Sequence, residues 1–373
     1  MSTEQPRRPR VAVVFGGRSS EHAVSCATAA GVLTAIDRDR YDVVPIGVAQ
    51  DGQWVLAPDD VEPLALRPGH VPAVATSDAD VMLPLATGSR SLTSVRRGES
   101  SIDLGQIDVV FPLLHGPFGE DGTVQGLLEL ADIPYVGSGV LASAVMMDKH
   151  YMKIVFAAAG LPIGPYVVIT DRQWQREPAE CERRVAELGW PVFVKPCRAG
   201  SSVGITRVTG SSALAAAIEK AREHDPKVIV EAAIFGREIE CGILAGRGLE
   251  PHRASELGEI VVTQGHDFYD FEAKYLAEAD VQLSCPAQLP DEVARRLKRL
   301  ALEAFDAAGC EGLARVDFFY ADDGAIYLNE INTMPGFTPH SMYPQMWAAT
   351  GVPYRELITE LIELARERRV GLR

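Results

Sequence analysis

The chain of 373 residues lacks several features that would place it in a common functional class. Its six cysteines lie far apart and form no CxxC pair, which argues against a zinc site or a disulfide framework and favours reduced thiols. No apolar run is long enough to span a bilayer, and the run after the basic first ten residues is too short for a signal peptide. We therefore expect a soluble, cytoplasmic protein without a membrane partner, in which residues 1–10 form a disordered tail.

Basic residues are too few for a nucleic-acid-binding surface. The formal net charge is −15, whereas non-specific binding to nucleic acid needs a basic footprint. An anionic ligand can still bind in a local cationic pocket. The turn GGRSSEH is not GxGxxG, which disfavours a nicotinamide oxidoreductase, and the loop 195–204 is not GxxxxGK[ST], which excludes a Walker P-loop. No nucleic-acid partner is expected.

The first part of the chain predicts a doubly wound parallel sheet. A strand at 11–15, a helix over Ser20–Ile36 and a strand over Val43–Val48 form a βαβ start, and Asp108–Leu114 reads as another buried strand. Any ligand should lie beyond the carboxyl ends of these strands. A further short strand is predicted at Pro134–Val136.

Residues 50–105 are rich in Pro, Asp, Ser, Gly and Arg and show no clear periodicity. We interpret them as an elaborated surface insertion with a small hairpin around Val81–Leu92.

An α+β unit should follow from about Asp148, so the predicted fold class is α/β and α+β. Strands are expected at Tyr166–Ile169, Val192–Lys195, Ile205–Val208, Val228–Ala232 and Glu238–Ala245. Helices are expected at Ser212–His224, Asp291–Ala308 and Tyr354–Arg369. Residues 263–284 contain GHDFYDFEAKY without a clear period, and so long a loop inside a compact domain is usually functional, often as a lid.

The stretch Gly312 to Tyr343 carries the strongest chemical signal. With Asp323-Gly324 as a two-residue type I′ turn, Asp317 lies opposite Glu330 and Arg315 lies opposite Asn332, all on one face. Two carboxylates and a carboxamide oxygen suit Mg²⁺ better than Zn²⁺, and a guanidinium beside them can stabilise developing negative charge. The alternative is a solvated hairpin face, and a slip of one residue would ruin the set.

Three other candidate residues each allow a structural and a functional interpretation. Glu21 is either a first-turn acid that favours the helix dipole or a substrate ligand. His115 opens the loop HGPFGEDG at a strand's carboxyl end, where a ligand binds, although a lone histidine is more often structural. Lys195 precedes a Gly/Ser loop that is either a mobile hairpin or a phosphate cover.

The ordered segments FGGRSSEH, LHGPFGEDGTVQG, MDKHYMK, VKPCRAGSSVG, FYDFEAKY and RVDFFY…YLNEINTMPGFTPHSMYP resemble the D-alanine–D-alanine ligases of the ATP-grasp superfamily. The resemblance runs from Val11 to about Ile362. It implies an N-terminal domain over 11–147 with the first D-alanine site, a central ATP-grasp subdomain over 148–232 and a C-terminal one over 233–373. Cys197 and Met342 stand where serine and leucine are expected.

The resemblance implies ATP-dependent ligation of two D-alanines through a D-alanyl phosphate for peptidoglycan precursor synthesis. It further implies ATP as co-substrate, two Mg²⁺ (or Mn²⁺) and a homodimer. The implied metal ligands are Asp317, Glu330 and Asn332. The implied ATP-binding residues are Lys149, Lys195, Ser201, Ser202, Glu231, Ile234, Glu238 and Lys274. The implied catalytic and D-alanine-binding residues are Glu21, His115, Ser201, Tyr275, Arg315, Gly336, Ser341 and Met342.

Two rival functions remain open. One is a D-alanine–D-lactate or other ATP-grasp ligase, which would share everything except the acceptor chemistry of the lid. The lid sequence 271–275, FEAKY, resembles that of the dipeptide-forming enzymes, whereas the depsipeptide-forming branch has a histidine in its lid. The other rival is a nucleotide-binding protein without catalysis, which would have no need of an oxyanion donor at Arg315.

Overall fold

The computed structural model describes residues 7–67, 69–84, 88–96, 98–200, 203–262 and 281–368. Residues 1–6 of the predicted tail therefore lie outside the described residues. So do residues 263–280 of the predicted lid. Within the described part of the chain, no helix is both long and apolar enough to cross a membrane.

The first part of the chain is a mixed α/β unit. Its elements are β1 (Arg10–Gly16), α1 (His22–Ala35), β2 (Asp42–Val48), β3 (Trp54–Leu56), β4 (Ala79–Met82), β5 (Ser91–Arg96), β6 (Ile102–Gln106), β7 (Val109–Pro112), α2 (Thr123–Leu130) and α3 (Val140–Met147). The main sheet has the order β3-β2-β1-β7, with β1 parallel to both of its neighbours. The predicted parallel sheet is confirmed.

Both faces of this sheet are buried, which explains the unbroken apolar run in β1. Val13 and Phe15 pack on one face in a core that includes α1, and Ala12 and Val14 pack on the other in a core that includes α2. The strand predicted at Pro134–Val136 is reduced to a single parallel bridge, in which Val110 of β7 makes backbone hydrogen bonds to Pro134 and Val136.

The insertion is more than a surface elaboration. Its strand β3 extends the main sheet as an antiparallel edge, and the predicted small hairpin is a three-stranded sheet in the order β4-β5-β6. Val74 packs between β1 and β2, where a Cβ on Gly47 would lie 2.6 Å from its side chain. The prediction of a purely surface segment is therefore wrong.

The second part is an α+β unit built on an antiparallel sheet in the order β10-β9-β11-β8. Its elements are α4 (Lys149–Ala158), β8 (Tyr166–Ile169), α5 (Asp171–Arg176), α6 (Pro178–Ala186), β9 (Val192–Pro196), β10 (Thr206–Val208), α7 (Leu214–Arg222) and β11 (Val228–Ala232). The helix predicted to begin at Ser212 begins at Leu214, because a 3₁₀ turn over Ser211–Ala213 precedes it.

The third part holds an antiparallel sheet in the order β14-β13-β12-β15-β16. Its elements are β12 (Gly236–Leu244), β13 (Arg253–Val262), β14 (Val281–Ser284), α8 (Asp291–Ala308), β15 (Leu313–Ala321), β16 (Ile326–Asn332), α9 (Met342–Ala349) and α10 (Tyr354–Glu367). Helix α8 buries Leu297, Leu300 and Phe305 in one core with β12 and β15, which leaves the opposite face of the sheet toward the second part. The α/β and α+β content matches the predicted fold class.

The β15–β16 hairpin reaches the predicted register by an unpredicted route. The turn is one residue longer than expected, since Ala321 and Ala325 pair through a backbone hydrogen bond of 2.8 Å around a three-residue loop. A register shift between Asp317 and Phe318 then adds one residue to β16. The two differences cancel, and Asp317 still lies opposite Glu330.

The last helix packs on the first sheet. Leu357 and Leu361 of α10 share a core with Val11 and Phe111, and the Tyr41 hydroxyl donates a 2.5 Å hydrogen bond to Glu363. Helix α10 thus joins the two ends of the chain. The division of the chain into domains after residues 147 and 232 stays a prediction.

The longer turn generates a stability prediction. Gly324 has a φ of +85° and open space where a Cβ would lie, so Gly324→Ala strains only the backbone. We expect a loss of about 1–2 kcal/mol, measured as a lower thermal midpoint. Gly210→Ala is the matched control, because this site is equally open but has an extended φ of −174°. Equal midpoints for the two variants would contradict the turn geometry.

Candidate active site

Two pockets meet in the cleft between the three parts. The first, of about 700 Å³, lies between the loops after β1 and β7 and the segment after β16. The second, of about 500 Å³, lies between the two antiparallel sheets. Lys149, Arg315 and Glu330 line both pockets, so a ligand in one lies next to a ligand in the other at these side chains.

Arg315 is held between two acids in the wall that the pockets share. Its Nε and Nη2 donate to Asp317 at 2.7 Å and 2.6 Å, and its Nε lies 3.2 Å from Glu240. Burial opposes the charge of the guanidinium, but Asp317 and then Glu240 outweigh burial and raise the pKa of Arg315 well above its usual value. A fixed, permanently charged donor therefore faces the junction.

The N-terminus of α4 positions Lys149. Asp148 is the N-cap and accepts hydrogen bonds from the backbone N–H groups of His150 and Tyr151 at 3.1 Å and 3.4 Å. This fixes Lys149 in the first turn, where its Nζ lies 3.2 Å from Glu330. Burial opposes the ammonium charge, but Glu330 raises the pKa of Lys149, so the side chain is a cation at neutral pH.

Glu231 binds two lysines at the back of the second pocket. Its oxygens lie 2.7 Å from Lys153 Nζ and 2.6 Å from Lys195 Nζ. Burial alone would raise the pKa of Glu231, but Lys153 and Lys195 together lower it far below its usual value. Both lysines line the pocket, although the side chain of Lys153 is only 3% exposed.

His115 lies buried at the floor of the first pocket, near Glu21. Its Nδ1 lies 3.2 Å from the Met334 carbonyl oxygen, which can only accept, so Nδ1 carries a proton. Burial disfavours the imidazolium, but Glu120 and then Glu21 raise the pKa of His115 above its usual value. The backbone comes close to Glu21, since a Cβ on Gly200 would lie 2.9 Å from its carboxylate.

The face with Asp317, Glu330 and Asn332 fits a magnesium site shared with a ligand. Asp317 and Glu330 are directly opposed, and Arg315 is opposed to Asn332. Within the described residues, no cluster of three or more His, Cys, Asp or Glu side chains could hold a metal alone. Mg²⁺ is commonly held by one or two carboxylates together with substrate phosphates and water, so this oxygen donor set suits it.

The structure brings together every predicted site residue that it describes. Those that line the first pocket are Glu21, His115, Lys149, Arg315, Glu330, Asn332, Gly336, Ser341 and Met342. Those that line the second are Lys149, Lys195, Glu231, Ile234, Glu238, Arg315, Asp317 and Glu330. Ser201, Ser202, Lys274 and Tyr275 lie outside the described residues.

Several pocket residues were missed by the sequence reasoning. Lys153 follows Lys149 by one helical turn, and this spacing could have placed both on the cleft face of α4. Glu240 gave no signal, because only the pairing of its strand with β15 brings it to the junction. His340 gave none either, because only the turn after β16 brings it to the first pocket. Ala65 and Leu66, from the insertion, also line the first pocket.

Two family models match the chain. The model described as D-ala D-ala ligase N-terminus matches residues 10–138, and the model described as D-ala D-ala ligase C-terminus matches residues 155–363. The D-alanine--D-alanine ligase of Arthrobacter sp. (strain FB24) is 62% identical over 98% of this chain and 96% of that protein. The enzyme of the same name from Streptomyces avermitilis is 52% identical over 100% of this chain and 98% of that protein.

Solved structures have the same fold. The VanG D-Ala:D-Ser ligase from Enterococcus faecalis has a TM-score of 0.82 at 35% identity, over 96% of this chain and all of that one. The D-alanine-D-alanine ligase from Coxiella burnetii has a TM-score of 0.78 at 32% identity, over 97% of this chain and 94% of that one. The predicted ATP-grasp fold class is confirmed.

The pairing of Glu231 generates a pH-dependent prediction. Glu231→Gln should cost about 3–5 kcal/mol at neutral pH, because it leaves Lys153 and Lys195 buried without their carboxylate. The folded-state pKa of Glu231 lies below its ordinary 4.5, so the native state binds fewer protons near that pH, and the carboxylate's contribution is lost as the pH falls through the folded pKa.

The melting difference between parent and Glu231→Gln should therefore shrink as the pH is lowered below 4.5. Glu180→Gln is the control, since Glu180 pairs with Arg183 at the surface and the change should leave the melting temperature unchanged. A difference that stays constant from neutral to acid pH would contradict the assignment.

Proposed function

This chain belongs to the D-alanine–D-alanine ligase family, and from that membership we propose that it joins two D-alanines into D-alanyl-D-alanine for peptidoglycan precursor synthesis. ATP is the co-substrate. The observation that carries the proposal is the junction of two pockets at Lys149, Arg315 and Glu330, since the reaction needs a nucleotide and an amino acid in contact. Full-length identity of 52–62% to enzymes of this name supports it.

The second pocket is the proposed ATP site. Ile234 and Glu231 face the adenine, Glu238 binds the ribose hydroxyls, and Lys149 and Lys195 bind phosphate oxygens. Ile234 in the wall of the second pocket and Lys149 at the junction support this orientation. Ser201, Ser202 and Lys274 are assigned to the phosphates from the family resemblance alone.

The first pocket is the proposed D-alanine site. Glu21 binds the ammonium of the first D-alanine, with Ser201 and Tyr275 completing that contact, and His115 lies near its carboxyl end. Ser341 and Met342 bind the carboxylate of the second D-alanine. Support comes from Ser341 as the N-cap of α9, because the partial positive charge of a helix N-terminus favours an anion.

The residues contribute by charge and position. A carboxylate oxygen of the first D-alanine attacks the terminal phosphorus of ATP, and ADP leaves with the electrons of the broken P–O bond. The neutral amine of the second D-alanine then attacks the acyl carbonyl, and phosphate leaves. Arg315 and the Gly336 N–H stabilise the oxyanion between these events, and loss of one such donor typically costs about 10²–10³ in rate.

Divalent cations complete the proposed site. Asp317, Glu330 and Asn332 would hold two Mg²⁺ or Mn²⁺, which supply neutralisation of phosphate charge when bound. In the structure Asp317 pairs with Arg315 and Glu330 pairs with Lys149. Binding of a metal–nucleotide would therefore exchange partners, because the carboxylates would turn to the metals and the cations to the phosphates.

The proposal includes a cytoplasmic homodimer. Exposed Leu130, Val140 and Leu141 on the adjoining helices α2 and α3 support a contact between copies, because exposed apolar side chains that adjoin are typical of interfaces. The last four residues of the predicted lid 263–284 form β14 instead. A lid over 263–280, which lies outside the described residues, would exclude water from the acyl phosphate. Among the described residues, no contact favours the alternative function, a nucleotide-binding protein without catalytic activity.

The first test is phosphate release from ATP and Mg²⁺ with and without D-alanine. We expect D-alanine-dependent release by the parent and at least about a hundredfold less by Glu330→Gln, with little rescue by added Mg²⁺. Glu223→Gln, a change of an exposed acid at the end of α7, should match the parent. Release that does not depend on D-alanine, or an active Glu330→Gln, would contradict the site.

The second test is a competition between acceptors. With ATP, Mg²⁺ and D-alanine against an excess of D-lactate or D-serine near neutral pH, we expect mostly dipeptide of D-alanine, rising as the α-amino group loses its proton. The D-serine arm is included because the VanG relative uses that acceptor. Mass spectrometry separates the products.

The histidine at the rim of the first pocket provides the control. His340→Asn should leave the preference for D-alanine unchanged, because we propose that no imidazolium selects the acceptor. A shift of products between D-alanine and D-lactate in this variant, or mostly depsipeptide from the parent, would overturn the acceptor assignment.

A further inference from the structure

Glu240 is a buried carboxylate to which the proposed reaction gives no role. It lies in β12, the central strand of its sheet, is 4% exposed and lines both pockets. Its backbone pairs directly with Asp317 on one side. Because directly paired residues project from the same face of a sheet, the two carboxylates lie side by side.

Both acids act on one guanidinium. Asp317 accepts two hydrogen bonds from Arg315, at 2.7 Å and 2.6 Å, whereas Glu240 lies 3.2 Å from Arg315 Nε. The bidentate contact is the stronger of the two, since parallel N–H···O bonds fix both distance and orientation. Arg315 therefore rests mainly on Asp317.

This arrangement conflicts with metal binding under the proposed function, on which the inference rests. Asp317 is also a proposed ligand of the divalent cation, and oxygens that accept from a guanidinium have fewer lone pairs left for a metal. Arg315 and the metal would therefore compete for the oxygens of Asp317. Arg315 must also keep its place, because the oxyanion forms against it.

We propose that Glu240 is the positioning residue that holds Arg315 when Asp317 turns to the divalent cation. Glu240 can take this role because its carboxylate already lies 3.2 Å from Nε. Asp317 is then free to orient toward the metal while the Nη groups point into the junction.

The surroundings of Glu240 strengthen its hold. Its other backbone partner is Gly258, whose missing side chain leaves room that the thioether of Met342 fills. Apolar packing on that side keeps water from screening the Glu240–Arg315 attraction. Met342 therefore contributes through packing, in addition to its proposed place at the acceptor.

The charge of Glu240 can be removed without changing its shape. In Glu240→Gln, the described residues leave Arg315 with Asp317 as its one carboxylate, so the guanidinium and the metal compete for it. We expect Mn²⁺ affinity in the presence of ADP to fall about tenfold, measured by electron paramagnetic resonance titration without turnover. Glu240→Asp keeps the charge and should recover part of that affinity.

A neighbouring ion pair provides the matched control. Glu259 on β13 pairs with Arg237 at 2.7 Å and is 14% exposed, but it lines neither pocket within the described residues. Glu259→Gln should bind Mn²⁺ like the parent. A structural role for Glu240 would lower the melting temperature and leave Mn²⁺ affinity unchanged.

Turnover gives a second readout. Glu240→Gln should lower kcat for the dipeptide with little change in the KM for ATP, because Arg315 acts where charge develops. Parent-like Mn²⁺ affinity in Glu240→Gln would overturn the inference, and so would an equal loss in Glu259→Gln. If Glu240→Gln does not fold, Glu240→Asp provides the test: its carboxylate is one methylene farther from Arg315, so we expect a partial loss of Mn²⁺ affinity, and parent-like affinity with no loss of kcat would overturn the inference. A parent that binds Mn²⁺ but makes no dipeptide would instead refute the proposed function.

Discussion

The cleft depends on the requirement that buried charges be paired. Four cations (Lys149, Lys153, Lys195 and Arg315) face four carboxylates (Glu231, Glu240, Asp317 and Glu330) at distances of 2.6 to 3.2 Å. Removing Glu231 would leave Lys153 and Lys195 buried without their carboxylate, which is costly. The same set that stabilises the folded cleft is therefore complementary in charge to the metal–nucleotide that we propose as its ligand, which brings anionic and cationic groups together.

Two charged groups of the cleft each have two partners. Lys195 and Lys153 both pair with Glu231 and both line the second pocket, with Lys153 the more deeply buried. Asp317 and Glu240 both pair with Arg315. Under the proposed function, a ligand that draws away Lys195 or Asp317 would leave Glu231 paired with Lys153 and Arg315 paired with Glu240.

Strand register delivers these groups to one surface. The extra residue in β16 lets Leu328 and Ile331 both reach the core, although they are three positions apart, while Glu330 stays toward the cleft. At the other end of the cleft, α10 packs on the first sheet and joins the parts that carry Glu21 and Arg315. The first pocket exists because these distant segments are held together.

The sequence by itself determined the parallel start of the fold and the long helices. These follow from apolar periodicity and from turn residues, which are local. Through the family resemblance, the sequence also named the site residues that line the two pockets. The route to the hairpin register was misjudged, because the longer turn and the added residue in β16 compensate each other and a sum of two local errors leaves no trace in the pattern. Only the tertiary structure decided that Glu240 meets Arg315, that Lys153 shares Glu231 and that Ala65 lines the first pocket. Each of these contacts joins elements far apart in sequence, and packing rather than local preference brings them within reach.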